Sequence, residues 1–107
     1  MKLGEVRYSH FPLEEDASKY IDRPVIIVIA ESPEIVVIKV TKTAPRKNDL
    51  YDVPIKHYKY CGLKYPSTAR ISKVVTLDET QIFNKVRNLH PDDLKNILQK
   101  LIEFTNQ

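Results

Sequence analysis

The stretch RPVIIVIAESPEIVVIKVT, residues 23–41, decides the fold. Two runs dominated by β-branched residues, 25–30 and 35–41, flank the tetrapeptide ESPE. Valine and isoleucine are stiff at χ1 and pack well on a pleated surface, so each run reads as a strand. A short Ser-Pro-containing break between two such runs reads as a turn, and the pair as an antiparallel hairpin. The first run has no polar alternation, which suits a central strand buried on both faces. Pro24 has no N–H for a ladder, so it is expected only at the first position of that strand.

Working outward from the hairpin, residues 5–11 alternate as a strand, with Val6, Tyr8 and His10 on one face and Arg7, Ser9 and Phe11 on the other. Pro12 ends it, and LEEDASKYID, residues 13–22, is polar enough to be an exposed loop. Beyond the hairpin, KTAPRKND is basic and rich in turn formers. Residues 51–57 form a short strand candidate whose Pro54 places it at an edge. KYCGLKYPS is a loop, and residues 68–75 form a further strand. In the TLDE that follows, Thr76 as cap with Glu79 three residues on predicts a capped helical turn. Residues 82–89 close the strand set. His90-Pro91-Asp92-Asp93 then opens a helix: proline suits its first position, and the aspartates complement its dipole. Leu94, Ile97, Leu98, Leu101 and Ile102 make one apolar stripe. Several short strands and one closing helix imply a mainly β, small antiparallel barrel or half-barrel with a C-terminal α-helix, organised as one domain over residues 1–107.

Composition excludes several function classes. The chain has 107 residues and only two glycines, Gly4 and Gly62, too few for a glycine-rich nucleotide loop. Its single cysteine, Cys61, excludes an internal disulfide framework and any multi-cysteine zinc site. Cys61 and the three histidines follow no zinc-ligand spacing, so neither metal nor cofactor is expected. No apolar run approaches the ~18 residues of a membrane span, and the charged start MKLGEVR is no signal peptide, so the expected compartment is the cytoplasm.

Charge is uneven. Residues 1–38 carry 4 basic and 7 acidic groups, residues 39–73 carry 9 and 2, and residues 74–107 carry 4 and 5. The middle segment is therefore a block of net +7 inside a chain of net +3. Such a block attracts a polyanion, nucleic acid above all, unless it is simply a solvated lysine-rich surface. Lys42, Arg46, Lys47, Lys56, Lys59 and Lys64 are the candidate phosphate contacts. Tyr51, Tyr58, Tyr60 and Tyr65 are interleaved among them and suit base stacking, although about half are expected to pack internally.

The order of motifs GEVRYSHFP, RPVIIV, a strand ending in VT, a basic loop, GLKYPSTARISKVVTLD and a C-terminal helix resembles the MazF/PemK toxin family from Gly4 to about Leu101. RPVIIV and GLKYPSTARISKVVTLD are its most specific parts. The resemblance implies a homodimeric SH3-like barrel related in fold to CcdB. It implies a metal-independent ribonuclease that cuts single-stranded RNA at short sequences, leaving a 2′,3′-cyclic phosphate and a 5′-hydroxyl, and that is neutralised by a cognate antitoxin. On this likeness the catalytic arginine is Arg23 and the catalytic threonine Thr41. Lys42, Arg46 and Lys47 fall in the strip that grips RNA, and Arg70, which matches the arginine of the PS…R strand, and Ser72 are expected to bind RNA with them. The chain departs from the family pattern at His10, where many members carry aspartate, and at Ser72, where some carry an acidic residue.

These residues suit that chemistry. Arginine presents a planar fork of donors matched to phosphate and is a poor proton donor, so Arg23 is expected to stabilise charge. A threonine hydroxyl hydrogen-bonds a phosphoryl oxygen. His10 is the candidate proton carrier, because imidazole titrates near neutral pH. Two other classes fit less well: a CcdB-like toxin that binds a topoisomerase without cleaving RNA, and a catalytically silent RNA-binding module. Taken alone, Arg23 also reads as a surface arginine paired with Asp22 or Asp16.

Overall fold

The computed structural model describes every residue except Glu14 and Ala17. Strands β1 (Glu5–Pro12), β2 (Tyr20–Glu31), β3 (Glu34–Thr41), β4 (Asp52–Pro54), β5 (Thr68–Asp78) and β6 (Ile82–Asn88) are followed by helix α1 (Pro91–Thr105). They form one antiparallel sheet in the order β4-β5-β3-β2-β1-β6. The expected mainly β architecture with a closing helix is therefore what the chain adopts. The strands β4 and β6 are the two edges, so the barrel is open between them.

The β2–β3 hairpin turns through Ser32 and Pro33, with Glu31 opposite Glu34. Val25, Ile26 and Ile27 are at most 1% exposed, so the centre of β2 is buried on both faces. Burying each of these side chains contributes roughly 1.5–3 kcal/mol. That burial stops towards the turn, where Ile29 is 47% exposed. The strand also begins earlier than its sequence suggests. Residues 20–24, expected in a loop or at the strand start, pair with β1 from Pro12↔Tyr20 to Tyr8↔Pro24. Pro24 thus lies inside β2 rather than at its first position. It is accommodated because pairing with β3 begins only at Val25↔Lys39, leaving Pro24 with a single neighbouring strand. Of the loop expected over 13–22, residues 14 and 17 lie outside the described residues.

Strand alternation divides the core in two. One cluster, including Val6, Ile26, Ile38, Val40, Ala69 and Ile71, packs beneath α1 through Ile97, Leu94, Leu101 and Phe104. The other, on the opposite face, holds Phe11, Val25, Ile27, Ile35, Val37, Leu77 and Ile82. Val6, Tyr8 and His10 share the first face, as expected, but only Val6 is covered. Within α1 the buried line runs through Asp93 and Ile97, whereas Ile102 is 61% exposed, so the apolar stripe turns out to solvent at its end.

Two local features differ from expectation. Strand β5 continues to Asp78, with Thr76 paired to Val36, so Thr76 is a strand residue and not a cap. Asp78 instead caps the turn Glu79–Gln81, accepting from the Thr80 N–H, while Gln81 accepts from the Asp78 N–H. The strand expected over 51–57 is cut to three residues at the edge. After it, residues 56–62 form a string of turns bound to the helix start. Gly62 adopts φ +83°, and a Cβ there would lie 2.6 Å from Val86 Cγ1, so this close crossing of turn and β6 requires glycine.

Candidate functional site

The end of the first sheet face that α1 leaves open forms a cleft of about 390 Å³. It is lined by Tyr8, residues 21–24, residues 40–43, residues 63–65 and Ser67. The cleft exists because β2 and β3 part at Val25↔Lys39. Extending that register by two residues sets Arg23 opposite Thr41. Arg23 Nη1 spans the parting strands and donates to the Val40 carbonyl at 3.4 Å. Ser9, fully buried on β1, donates its hydroxyl to the Arg23 carbonyl at 3.1 Å and fixes the backbone from the other side.

The Thr41 hydroxyl accepts from the Thr43 N–H at 3.2 Å and lies 3.3 Å from the Thr43 hydroxyl. The Thr43 carbonyl in turn accepts from the Thr68 hydroxyl at 2.8 Å, which ties this corner to β5. Lys42 Nζ lies 5.1 Å from the centroid of the Tyr65 ring, a cation–π contact across the rim. With Arg23, Lys42 and Lys64 set against the single carboxylate of Asp22, the described lining is cationic. It suits an anion with a flat apolar group beside it. Tyr65, 57% exposed, offers the flat surface.

The other sequence candidates are spread around this centre. His10 stands outside the lining, with its Nδ1 2.7 Å from Asp22 Oδ1 and its ring 4.8 Å from that of Phe83. Asp22 links it to the cleft. Arg46 is not presented to the cleft: its guanidinium holds Asp52 at 2.9 and 3.0 Å and Asp49 at 2.6 Å. The Asp52 carboxylate is fully buried, and the hydrogen bonds from Arg46 hold its pKa below the usual carboxylate range. Lys47 is exposed on the same loop and does not line the cleft. Arg70 lies on β5 opposite Lys39 and Asp52. Ser72 sits in the bulge where the β3–β5 register jumps from Ile38↔Val74 to Lys39↔Arg70. Of the four tyrosines in the basic segment, Tyr51 and Tyr58 pack against the core, and Tyr60 and Tyr65 are exposed. Tyr8, Pro24, Thr43 and Ser67 also line the cleft. Nothing in their local sequence marks them, because it is the uncovered sheet face that brings them together.

A family described as PemK-like, MazF-like toxin of type II toxin-antitoxin system matches residues 2–105. The chain belongs to this family. The fold agrees. The toxin superposes on MazF from Deinococcus radiodurans with a TM-score of 0.78 at 14% identity, covering 100% of this chain and 97% of that one. It superposes on the Mycobacterium tuberculosis toxin MazF-mt6 with a TM-score of 0.75 at 16% identity, covering 95% and 96%. A mycobacterial endoribonuclease, solved with its cognate antitoxin, gives 0.73 at 16% identity, covering 99% and 95%. A comparison with curated protein sequences finds no match. Among the described residues of the toxin, no helix is long and apolar enough to cross a membrane.

Proposed function

We propose that this toxin is an endoribonuclease that cleaves single-stranded RNA without a catalytic metal, acting in the cytoplasm as a homodimer held in check by a cognate antitoxin. The observation that carries the reading is that Arg23, Thr41 and Lys42 line one cleft whose described lining is cationic, beside an exposed tyrosine. Among the described lining residues Asp22 is the only carboxylate and there is no histidine, so the cleft offers no multidentate metal cage.

In this reading the RNA supplies its own nucleophile. The 2′-oxygen attacks the adjacent phosphorus, the P–O5′ bond breaks, and the products are a 2′,3′-cyclic phosphate and a 5′-hydroxyl. The proton leaving the 2′-oxygen goes to a base, and one is returned to the 5′-oxygen. Arg23 stabilises the charge that develops on the phosphoryl oxygens, a role worth ~10²–10³ in rate for one well-aimed donor. Thr41 turns its hydroxyl from Thr43 to the same phosphate. Lys42 holds a neighbouring phosphate and Tyr65 stacks a base. The proton passes through Asp22, which lines the cleft, to His10 behind it, so that the pair carries it.

Incubating a long RNA with the pure protein in EDTA, then sequencing the products and assigning their ends, tests the reading. Metal-independent cuts at a short motif with cyclic-phosphate ends are expected. Loss of cleavage in EDTA with recovery in Mg²⁺, or 3′-hydroxyl ends, would exclude 2′-oxygen attack. RNA bound but uncut would mark a silent RNA-binding module, and neither binding nor cutting a CcdB-like toxin. Ultracentrifugation tests the dimer: a lone ~12 kDa species at micromolar concentration would contradict it.

A further inference from the structure

We propose that His57, His90 and Asp92 form a surface site for a transition-metal ion that prefers imidazole ligands, such as Zn²⁺ or Ni²⁺, separate from the RNA cleft. His57 and His90 are 33 residues apart in sequence. In the fold their rings stack with centroids 3.9 Å apart and planes inclined by 21°. Asp92 Oδ2 lies 3.8 Å from His57 Nε2 and 3.8 Å from His90 Nδ1. One ligand atom from each of the three residues falls within 4.8 Å of the others. Ligand atoms around a tetrahedral zinc are roughly 3.3 Å apart, given Zn–N bonds of about 2.0–2.1 Å. The triad therefore needs a contraction of about an ångström or so, and one imidazole must turn out of the stack so that the two in-plane lone pairs meet at the ion.

The backbone beneath the triad is held in place. Asp93 is 1% exposed and accepts the N–H of Lys56 at 3.0 Å and of His57 at 2.9 Å. One buried carboxylate therefore bolts the turn carrying His57 to the helix turn carrying Asp92. Tyr60 meets His90 edge-on at 4.8 Å and supports the ring from the side. Two imidazoles and a carboxylate on pinned backbone are a ligand set that suits zinc, nickel or copper and not the oxygen-seeking Mg²⁺ or Ca²⁺. His90 Nδ1 accepts the Asp92 N–H at 3.1 Å as the helix cap. A metal on either ring nitrogen displaces this cap hydrogen bond, because the neutral imidazole keeps its proton on the other nitrogen, while the Asp92 carboxylate serves as a ligand. The bound ion clamps the 56–62 turn to the helix start.

The test is calorimetric titration of the full chain with Zn²⁺ and Ni²⁺, in the absence of RNA. Saturable 1:1 binding in the micromolar range is expected, lost in His57→Gln and weakened in Asp92→Asn, with circular dichroism showing both variants folded. His90→Gln also removes the helix cap and is therefore not used alone. In the NMR spectrum the ring signals of His57 and His90 should move together on metal addition while those of His10 stay. Absence of saturable binding, binding undiminished in His57→Gln, or ring shifts at His10 would overturn the site. Because no RNA is present, failure here leaves the proposed cleavage untouched, and failure to cleave RNA leaves this site untouched.

Discussion

The cleft at the parting of β2 and β3 and the corner where the 56–62 turn meets α1 are both polar, yet their charged groups are used differently. In the cleft, the described lining holds Arg23, Lys42 and Lys64 with one carboxylate, Asp22, so its net charge favours an anion. At the corner, Asp93 is sealed in and its two oxygens are consumed by backbone N–H groups. A buried carboxylate that holds two turns together stabilises the fold, because each of its partners would otherwise be desolvated and unpaired. Ion pairs at a solvated surface stabilise little, so a charged group lining an open cleft is redirected to a phosphate at small cost. The cleft should therefore carry rate and the corner should carry stability.

The largest expected effect breaks the cleft. Arg23→Ala should lower single-turnover cleavage by ~10² or more while leaving RNA binding much less affected, because the lost interaction strengthens only as charge develops. Arg23→Lys should recover only part of this, since an ammonium does not reproduce the fork. Thr41→Val should cost less, and the double variant less than the product of the two, as groups serving one transition state are non-additive. A folded Arg23→Ala protein that still cuts at the wild-type rate would move the active site towards His10 or Arg70.

The converse variant is Asp93→Ala. It leaves the amides of Lys56 and His57 unpaired, and should destabilise the protein by about 1–3 kcal/mol. Thermal melting should register this as a lower Tm, with the cleavage rate per folded molecule unchanged. A rate loss at temperatures where the variant is fully folded would couple the two regions and contradict the division.

A third comparison uses pH. Glu5 is 5% exposed at the start of β1. Burial alone would raise its pKa, but hydrogen bonds from Arg7 and Lys85 outweigh that and lower it to about 2. A depressed carboxylate pKa adds stability that is complete above the unfolded value of about 4.5 and is lost as pH falls towards 2. Glu5→Gln should therefore lower stability at pH 7 and flatten its fall between those values. Chemical denaturation across pH 2–6 measures it, and an unchanged acid limb would remove Glu5 from the account.

The smallest effects separate two basic side chains that look alike in sequence. Lys42→Ala should reduce the slope of log binding against log salt by ~0.7, the value for one phosphate contact on a single strand. Arg46→Ala should leave that slope unchanged and destabilise the protein, because Asp52 is then buried without its partner. If Arg46→Ala flattens the slope, Arg46 leaves its carboxylates when RNA binds.

The Arg23–Thr41 corner of the cleft was legible because it is built from a local hairpin. Arg23 and Thr41 stand 18 residues apart on adjacent strands of one turn, so register alone brings them near each other. The extra length of β2 was not legible. Residues 20–22 end a charged, polar stretch and lie just before Arg23-Pro24, and what draws them into the sheet is β1, which offers partners from Pro12 to His10. The division between Lys42 and Arg46 was equally hidden. Both lie in one basic loop, and what distinguishes them is the carboxylates of Asp52 and Asp49 that hold Arg46.

By itself, then, the sequence determined what depends on neighbours along the chain: the alternation of strands, the hairpin, the proline-led helix, the cationic middle segment and the RPV…VT pair. Tertiary packing decided what depends on chain segments far apart. The helix covers Val6 but not Tyr8 or His10, and so opens the cleft. Asp93 draws His57 against His90 and Asp92, making a cluster from residues whose spacing follows no ligand pattern. Spacing encodes only contacts made within a turn or across a hairpin, whereas these arise where a buried carboxylate and a covered sheet face hold distant loops in place.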